Sequence, residues 1–555
     1  MSGTASARAG HRPDVWTVVA LLGWIAVALL LLYPLSAVLR ASVTGDEGGW
    51  TLANYATVLS RPRYLRALGN TALAGLGGAA GALLLGVTLA HLTTRYALRG
   101  AGIVFTLAVV ALCTPPFIGA YAWIVLFGAN GVVRNALAVV GVDAPTIYGP
   151  GGVILVFSLK FFPNVFLLAS AGFRAVNPSL EEAAESLGLS PVRRFFAVTL
   201  PMVTPALSAA AMLAFVLCIA DFGTPRILGR SFQTLATEAF VLFASELGGN
   251  PGLASAMSTV LLTISVVLVM VQRRVGRGTA AGGHAHRRRE VVRPRGWRAA
   301  WVHALAYGIV LLGALPAFVV VVFSLRRVNG PVFTDGFGLD SYARVLRTVP
   351  QAIGNSLSYA TLAVAGILVI GVATGYVAAR RRTVWSAAYE AVLVLPYIVP
   401  GIVMGIGFVQ SFNTGPLTLT GTGTIIVLAV LIRRLPYATR ATTAALGQLS
   451  PSLEQAAVSL GYHPVQAFGR VTVPLIMPGI VAGALMSFVT AMNELSASLV
   501  LYVGSTVTMP VSIYLLVLDG EYGAASAMST VLLGVTALLV YGAFSMSGRD
   551  QRSLL

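Results

Sequence analysis

Acidic residues are scarce: the 555-residue chain has 19 Asp and Glu against 37 Lys and Arg, and charged residues of both signs make up only 10% of it. Soluble domains carry about 25% charge, so this chain lacks the material for a water-facing surface. Its two cysteines, Cys113 and Cys218, lie in separate apolar segments without CxxC spacing, which supports neither a disulfide framework nor a zinc site. Lysine occurs once, in Ser158-Leu159-Lys160-Phe161-Phe162. Without a Gly-Lys-Ser/Thr loop to cradle phosphates, the polypeptide cannot hydrolyse ATP by that route. HExxH, GxSxG and clustered His/Cys sets are missing too, and His284 and His286 read as solvated residues of a basic stretch. No catalytic residue, metal site or cofactor is expected.

What the chain has is apolar length. Hydrophobic residues make up 57% and the mean hydropathy is +0.83, the signature of an integral membrane protein. A spanning helix needs about 20 mostly apolar residues. Twelve candidates emerge, near 15–39, 68–91, 102–127, 152–173, 203–221, 252–272, 301–325, 355–379, 386–411, 424–445, 474–493 and 524–546. Lys160, Arg433 and Arg434 interrupt the fourth and tenth. The first run is too long for a signal h-region and no small-residue cleavage site follows, so it reads as a retained anchor. Spacings such as Gly77 to Gly81, Gly371 to Gly375 and Gly401 to Gly405 predict closely approaching helices. Gly75-Leu76-Gly77-Gly78 sits inside such a run without a preceding strand and reads the same way, not as a dinucleotide loop.

A formal charge of +18 would suggest nucleic acid in a soluble protein. Here the basic residues cluster in short loops, where they set topology, and no nucleic-acid partner is expected. Arg8 and Arg12, Arg95 and Arg99, Arg193 and Arg194, and Arg380-Arg381-Arg382 fall on one side of a twelve-span arrangement, which puts both termini in the cytoplasm. Residues 272–298 hold Arg287-Arg288-Arg289 with Gly, Ala and His, as a flexible basic linker would. Arg61, Arg63 and Arg66 run against this pattern, in a loop placed outside.

The second half repeats the first. Pro178-Ser179-Leu180-Glu181 matches Pro451-Ser452-Leu453-Glu454, and the same offset relates Lys160 to Arg433, Pro163 to Pro436, Gly188 to Gly461, Pro201 to Pro474 and Asp221 to Glu494. Ala254–Leu262 recurs letter for letter at 525–533. The expected fold is all-α: twelve transmembrane helices as two parallel six-helix repeats, 1–271 and 299–555, joined by the linker 272–298, with a pathway between the halves.

Each half carries one strongly patterned loop, at 178–201 and 451–474. The first reads Glu181-Glu182-Ala183-Ala184-Glu185-Ser186-Leu187-Gly188, nine residues, then Val198-Thr199-Leu200-Pro201. The second reads Glu454-Gln455-Ala456-Ala457-Val458-Ser459-Leu460-Gly461, nine residues, then Val471-Thr472-Val473-Pro474. Ser179 and Ser452 are expected N-caps, with Glu182 and Gln455 completing capping boxes. Gly188 and Gly461 suit a left-handed helix end, and Pro191 and Pro464 start the next helix. The product is a short, small-faced helix suited to another protein's groove.

This pattern resembles the EAA loop of ABC-transporter permeases, in which E-A-A, three residues, G, nine residues and I-x-L-P form the coupling helix that seats on the ATPase subunit. Val198 replaces the Ile of the first copy; Gln455, Val471 and Val473 depart from the second. Asp221-Phe222-Gly223-Thr224-Pro225, Leu395-Pro396-Tyr397-Ile398-Val399-Pro400-Gly401, Arg433-Arg434-Leu435-Pro436-Tyr437 and Asn493-Glu494-Leu495-Ser496 are similar to the fused permeases of iron(III), thiamine and aminoethylphosphonate importers, the iron(III) branch closest. The resemblance implies a type I importer-like permease in a bacterial plasma membrane, working with a homodimeric ABC ATPase and an extracytoplasmic solute-binding protein. The coupling residues it implies are Glu181, Glu182, Ala183, Ala184, Gly188 and Pro201, with Glu454, Gln455, Ala456, Ala457, Gly461 and Pro474. Thiamine, aminoethylphosphonate, a polyamine or another small solute is the alternative cargo.

Ionisable groups within spans are costly and mark function by default. Lys160 and Arg433, and Asp221 and Glu494, occupy repeat-equivalent positions. They read either as structural ion pairs or, for the two acids, as a cation-attracting constriction at the outer end of the pathway. Tyr121, Trp123 and Tyr397 read as packing or interfacial aromatics. A secondary transporter with twelve spans is the rival class, but it has no use for the twin loops; loops of about 30 residues at most are too short for a binding domain.

Overall fold

Apolar runs bounded by proline and arginine form the helices. The computed structural model describes residues 14–546 apart from 46–47, 144, 246–248, 278–290, 330–331 and 382. Among these, ten helices are long and apolar enough to cross a membrane, or eleven if a bent pair counts as one span. By this criterion the count stops short of twelve, and the expected ninth and tenth spans account for the difference: 386–411 is the bent pair Val384–Ile398 and Gly401–Phe412. Gly423–Gly447 is one continuous helix, but Arg433, Arg434 and Arg440 make it too charged to qualify by composition. The expected third span, 102–127, is broken into Ala101–Cys113 and Pro116–Phe127, and the run that qualifies there is shifted to Phe117–Val139. Lys160, by contrast, does not interrupt Pro150–Ala175.

The break has a covalent cause. Thr114-Pro115-Pro116 and Val399-Pro400-Gly401 each place a proline where helix would otherwise continue, removing an N–H and pushing the preceding residue out of helical geometry. Pro115 (φ −59°, ψ 145°) and Pro400 (φ −58°, ψ 144°) adopt the same extended conformation. In the second half the limbs Val384–Ile398 and Gly401–Phe412 bend by 107°. Backbone groups freed at membrane depth need new partners, and those partners are described below.

Between apolar helices in lipid there is little hydrophobic drive, so close packing decides association. Pro62–Arg95 lies along Pro150–Ala175, and Gln351–Arg380 along Gly423–Gly447, as the most extensively packed pairs of their halves. Glycines line both seams, as the spacings predict. A Cβ at Gly77 would lie 2.8 Å from Ile154, one at Gly371 2.8 Å from Ala438, and one at Gly375 2.9 Å from Thr442. Gly401 and Gly405 likewise press on Ser496 and Val500.

The halves are intertwined. Val15–Ser42 bridges the halves, packing on Pro251–Arg277 of its own and on Gln351–Arg380 and Gly401–Phe412 of the other, and Trp297–Ser324 likewise joins Tyr522–Met546 to Ala101–Cys113 and Pro116–Phe127. Trp16 packs against Tyr376 at 4.2 Å with the rings tilted by 38°, and Trp24 meets Tyr389 at 5.5 Å. The repeated Ala254–Leu262 and Ala525–Leu533 also serve this seam: Ser255 accepts from Gln410 Nε2 at 2.8 Å, and Ser526 bonds the hydroxyl of buried Tyr121.

Of the basic stretch 272–298, residues 278–290 lie outside the described residues. Its flanks are ordered: the helix Pro251–Arg277 extends into it, and Val292 pairs with Arg95 and Ala97 through two backbone hydrogen bonds of 3.0 Å. The opposite loops add short helices, Ala53–Ser60, Leu235–Ala244, Asp340–Thr348 and Met509–Leu518, and a hairpin of Arg326–Asn329 with Val332–Phe337. There Arg63 pairs with buried Glu238 at 2.9 Å.

Candidate functional site

The patterned loops form short helices at equivalent places, Pro178–Ser186 and Ser452–Ser459. Their starts differ from expectation. Asn177, not Ser179, caps the first helix, accepting from Ser179 N at 3.1 Å. Pro451 occupies the second cap, and Ser450 rather than Ser452 supplies the nearby acceptor, at 3.3 Å from Ser452 N. With proline at the first turn or cap, the chain starts one or two residues earlier than the serine pattern indicated, so neither capping box with Glu182 or Gln455 forms.

Their ends are as expected, and identical. Gly188 (φ +80°) and Gly461 (φ +96°) are left-handed. Leu189 N donates to Ala184 O at 3.1 Å and Gly188 N to Glu185 O at 2.9 Å; Tyr462 N to Ala457 O at 3.2 Å and Gly461 N to Val458 O at 3.0 Å repeat the pattern. This paired closure is the Schellman motif. The chain then enters Pro191–Arg194 or Pro464–Ala467, one π turn (Phe195–Thr199 or Phe468–Thr472), and the next span. Pro201 and Pro474 explain the π turn: each lacks an N–H and its ring would collide with the carbonyl four residues back, so the ladder widens by one residue.

The loop carboxylates divide by direction. Glu182, Gln455, Ala183 and Ala456 are exposed, whereas Ala184, Ala457 and Glu181 are buried and Glu454 half-buried. Glu181 Oε1 accepts from Thr199 Oγ1 at 2.7 Å and Oε2 from Arg95 Nη1 at 3.1 Å. Glu454 accepts from Thr472 Oγ1 at 3.4 Å and from the Tyr376 hydroxyl. Each acid is thus tied to the entry of the following span and to the second span of its half, Pro62–Arg95 or Gln351–Arg380. Leu187 (80% exposed) and Leu460 (82% exposed) occupy matching positions at the outer rim of the two helices, with Leu180, Val192, Leu453 and Val465 also exposed.

The intramembrane charges are placed unequally. Glu494 is buried, faces Arg433 as an ion pair, bonds Arg434 Nη2 at 2.5 Å, and accepts from Ala497 N at 3.1 Å at the start of Ser496–Leu501. Asp221 accepts from Thr224 N at 2.8 Å, the same capping role, but no ion pair joins it to Lys160 among the described residues. Lys160 instead donates to the carbonyls of Thr114, Leu112 (3.0 Å) and Ala111 (3.4 Å). These are the acceptors freed where the third span breaks, so the ammonium caps a helix end. The matched pairing read from the repeat therefore holds for Arg433 with Glu494 and fails for Lys160 with Asp221.

These groups meet at the seam between halves. Asn493 Nδ2 donates to Cys113 O at 3.2 Å, Arg226 Nε to Tyr514 OH at 3.2 Å, and Phe222 lies 6.1 Å from the Tyr514 ring. Toward the loop helices a cavity of about 420 Å³ opens between Arg273 of the first half and Glu390, Thr439, Arg440 and Thr443 of the second. The Arg440 guanidinium lies 4.8 Å over the Tyr397 ring, while Tyr121 and Trp123 are buried packing aromatics. Sequence reasoning assigned no such bonding role to Arg95, Thr199, Tyr376, Thr472, Arg434 or Asn493. The shared offset between Thr199 and Thr472 was the available signal. Among the described residues no cluster of metal-ligating side chains occurs.

Residues 62–280 and 367–547 match the family of the binding-protein-dependent transport system inner membrane component. The chain is 28% identical over 548 residues to the ferric transport system permease protein FbpB of Actinobacillus pleuropneumoniae, covering 95% of this chain and 78% of that one. It is 27% identical over 538 residues to the Fe(3+)-transport system permease protein FbpB 2 of Haemophilus influenzae, covering 96% and 98%. A Salmonella typhimurium permease protein named for 2-aminoethylphosphonate transport, PhnV, is 30% identical over 250 residues, 44% of this chain but 93% of its own length. The chain belongs to the binding-protein-dependent transport family. It is a fused, two-repeat membrane permease subunit of an ABC importer.

Proposed function

We propose that this permease moves iron(III) from an extracytoplasmic binding protein to the cytoplasm, driven by a homodimeric ABC ATPase seated on the helices Pro178–Ser186 and Ser452–Ser459. The observation that carries the reading is the pair of matching loop helices, each closed by a left-handed glycine and rimmed by an exposed leucine. Two equal surfaces suit two equal ATPase subunits, and exposed apolar side chains on a short rigid helix suit a partner's groove. Seating on that side would put both termini in the cytoplasm, in agreement with the arginine-rich flanks. The residues expected to touch the ATPase are Glu182, Gln455 and the leucines around them. Relatives of nearly full length named for ferric transport support the cargo.

The intramembrane acids give little support to a secondary transporter: Glu494 is held by two arginines and Asp221 by a helix start. The test is reconstitution in vesicles with the cognate ATPase and binding protein, following radioactive iron. Uptake that needs ATP and all three components is expected. Uptake driven by an ion gradient without the ATPase would overturn the mechanism, and ATP-dependent uptake of a different ligand recovered from the binding protein would overturn only the cargo.

A further inference from the structure

We infer that Glu181 and Glu454 are positioning residues. Each is a buried or half-buried latch that locks a loop helix to the two spans beside it, so that a displacement of the helix moves the spans as one body. The role in transport rests on the ATPase-docking reading; the latch itself does not. Three observations carry it. Each acid accepts from the threonine 18 residues on, inside the π turn that leads to the next span: Thr199 for Glu181 and Thr472 for Glu454. Each also accepts from the end of the preceding helical pair, through Arg95 in Pro62–Arg95 or Tyr376 in Gln351–Arg380. Aromatic rings also join the same two elements at equivalent places: His91 of Pro62–Arg95 lies 5.3 Å from Phe195, and Tyr376 of Gln351–Arg380 4.6 Å from Phe468.

The geometry separates two jobs that one acidic tetrapeptide would seem to share. Glu182 and Gln455 face outward, while Glu181 and Glu454 face the spans. A helix of nine or eight residues cannot be stable alone in water, so its orientation has to come from tertiary contacts. A carboxylate accepting from two elements at once, partly shielded from water, provides strong directional ones.

The two latches are chemically unequal. The first contains an ion pair, and Arg95 also accepts from Val292 N at 3.0 Å, so the chain entering the second half is tied to the first latch. The second contains only hydroxyl donors and is closed by Trp16 from the first half's leading helix. Removing charge should therefore harm the first more. In Glu181→Gln the amide can still accept from Thr199 but leaves Arg95 facing a neutral group. In Glu454→Gln one hydroxyl keeps an acceptor and no charge is stranded.

Two measurements test this. In the purified permease alone, hydrogen exchange of amides 183–189 should speed up about tenfold in Glu181→Gln and in the isosteric Thr199→Val, corresponding to loss of one charge-assisted bond. Unchanged exchange in both would overturn the latch. In the reconstituted complex, Glu181→Gln should still bind the ATPase but lose about tenfold of the ATP turnover stimulated by loaded binding protein, with Glu454→Gln losing about threefold. Faster exchange with normal stimulation would overturn the positioning role while leaving the latch. Loss of ATPase binding in Glu181→Gln would show that the residue builds the docking surface instead. If the unaltered permease binds no ATPase, the docking reading fails and the exchange result still decides the latch.

Discussion

Arg434 reaches Glu494 across 2.5 Å in the interior of the second half, beside Arg433 on the same carboxylate, while the equivalent first-half residues, Lys160 and Asp221, go to separate partners. Two buried cations on one acid make Glu494 the more sensitive position. Glu494→Gln should destabilise the detergent-purified permease by about 3 kcal/mol, because it strands buried guanidiniums. Asp221→Asn should change stability by only a few tenths of a kcal/mol, since asparagine caps a helix as well as aspartate. Thermal melting compares the two. Adding Arg433→Met and Arg434→Met to Glu494→Gln should recover much of the loss, and equal destabilisation by the two single changes would contradict the asymmetry. Should Asp221→Asn melt normally yet slow uptake, the acid faces the cargo.

Gly188 and Gly461 end their helices at φ values of +80° and +96° with no atom within 4 Å of a Cβ built there. Space is available, so backbone strain is the only objection to a side chain. Gly188→Ala and Gly461→Ala should each cost about 1–2 kcal/mol locally, fraying the loop helix without affecting membrane insertion. Stimulated ATP turnover in the reconstituted complex should fall in both. Gly102→Ala, also in open space but within a helix, is the control and should be neutral. A loss in the control equal to that in the loop variants would remove left-handed geometry as the cause.

Much of this arrangement was legible in residue order. Long apolar runs marked the helices, the shared offset exposed the repeat, and the E-A-A-x-x-x-G pattern located the loops, because each signal is local and periodic. The breaks in the third and ninth spans were encoded as well, in Thr114-Pro115-Pro116 and Val399-Pro400-Gly401, but hydropathy averages across a proline. The bridging of the two halves by Val15–Ser42 and Trp297–Ser324 left no such mark: in a helix apolar on every side, the protein-facing and lipid-facing surfaces look alike. Lys160 and Arg433 share a repeat position but not a role. Lysine is a compact donor that suits a ring of carbonyls, and arginine a planar fork that suits a carboxylate.

Gly81 offers a test of the close seam in the first half. A Cβ there would come within 2.7 Å of Ser158 Cβ, on the neighbouring helix Pro150–Ala175. That helix is held by packing on both sides and cannot retreat freely. Gly81→Val should therefore lower thermal stability by about 1–3 kcal/mol. Gly81→Ala should cost less, and Gly308→Val, at a position with open space, should cost under 1 kcal/mol. A melting temperature for Gly81→Val equal to that of Gly308→Val would mean that the seam is looser than its glycines indicate.

The intertwined leading helices predict how the chain behaves when cut. Val15–Ser42 packs on the second half and Trp297–Ser324 on the first, so neither half keeps all its packing partners when alone. Cross-seam bonds from Tyr121 to Ser526, Gln410 to Ser255 and Asn493 to Cys113 add polar contacts that the separated halves would leave buried without partners. Expressing 1–277 and 291–555 as two polypeptides should give a complex that co-purifies in detergent and retains appreciable uptake. This cut keeps Val292 and its bonds to Arg95 and Ala97. Either fragment expressed alone should accumulate poorly and be degraded, because unsatisfied polar groups in the hydrocarbon region cost several kcal/mol each. Moving the second start to 299 removes Val292 and should weaken uptake more than co-purification, since the lost contact is to the first loop's Arg95 and not to the seam. Stable accumulation of each fragment alone would show that the bridging helices are not required to complete the opposite halves, and equal uptake from the 291 and 299 starts would show that Val292 contributes nothing.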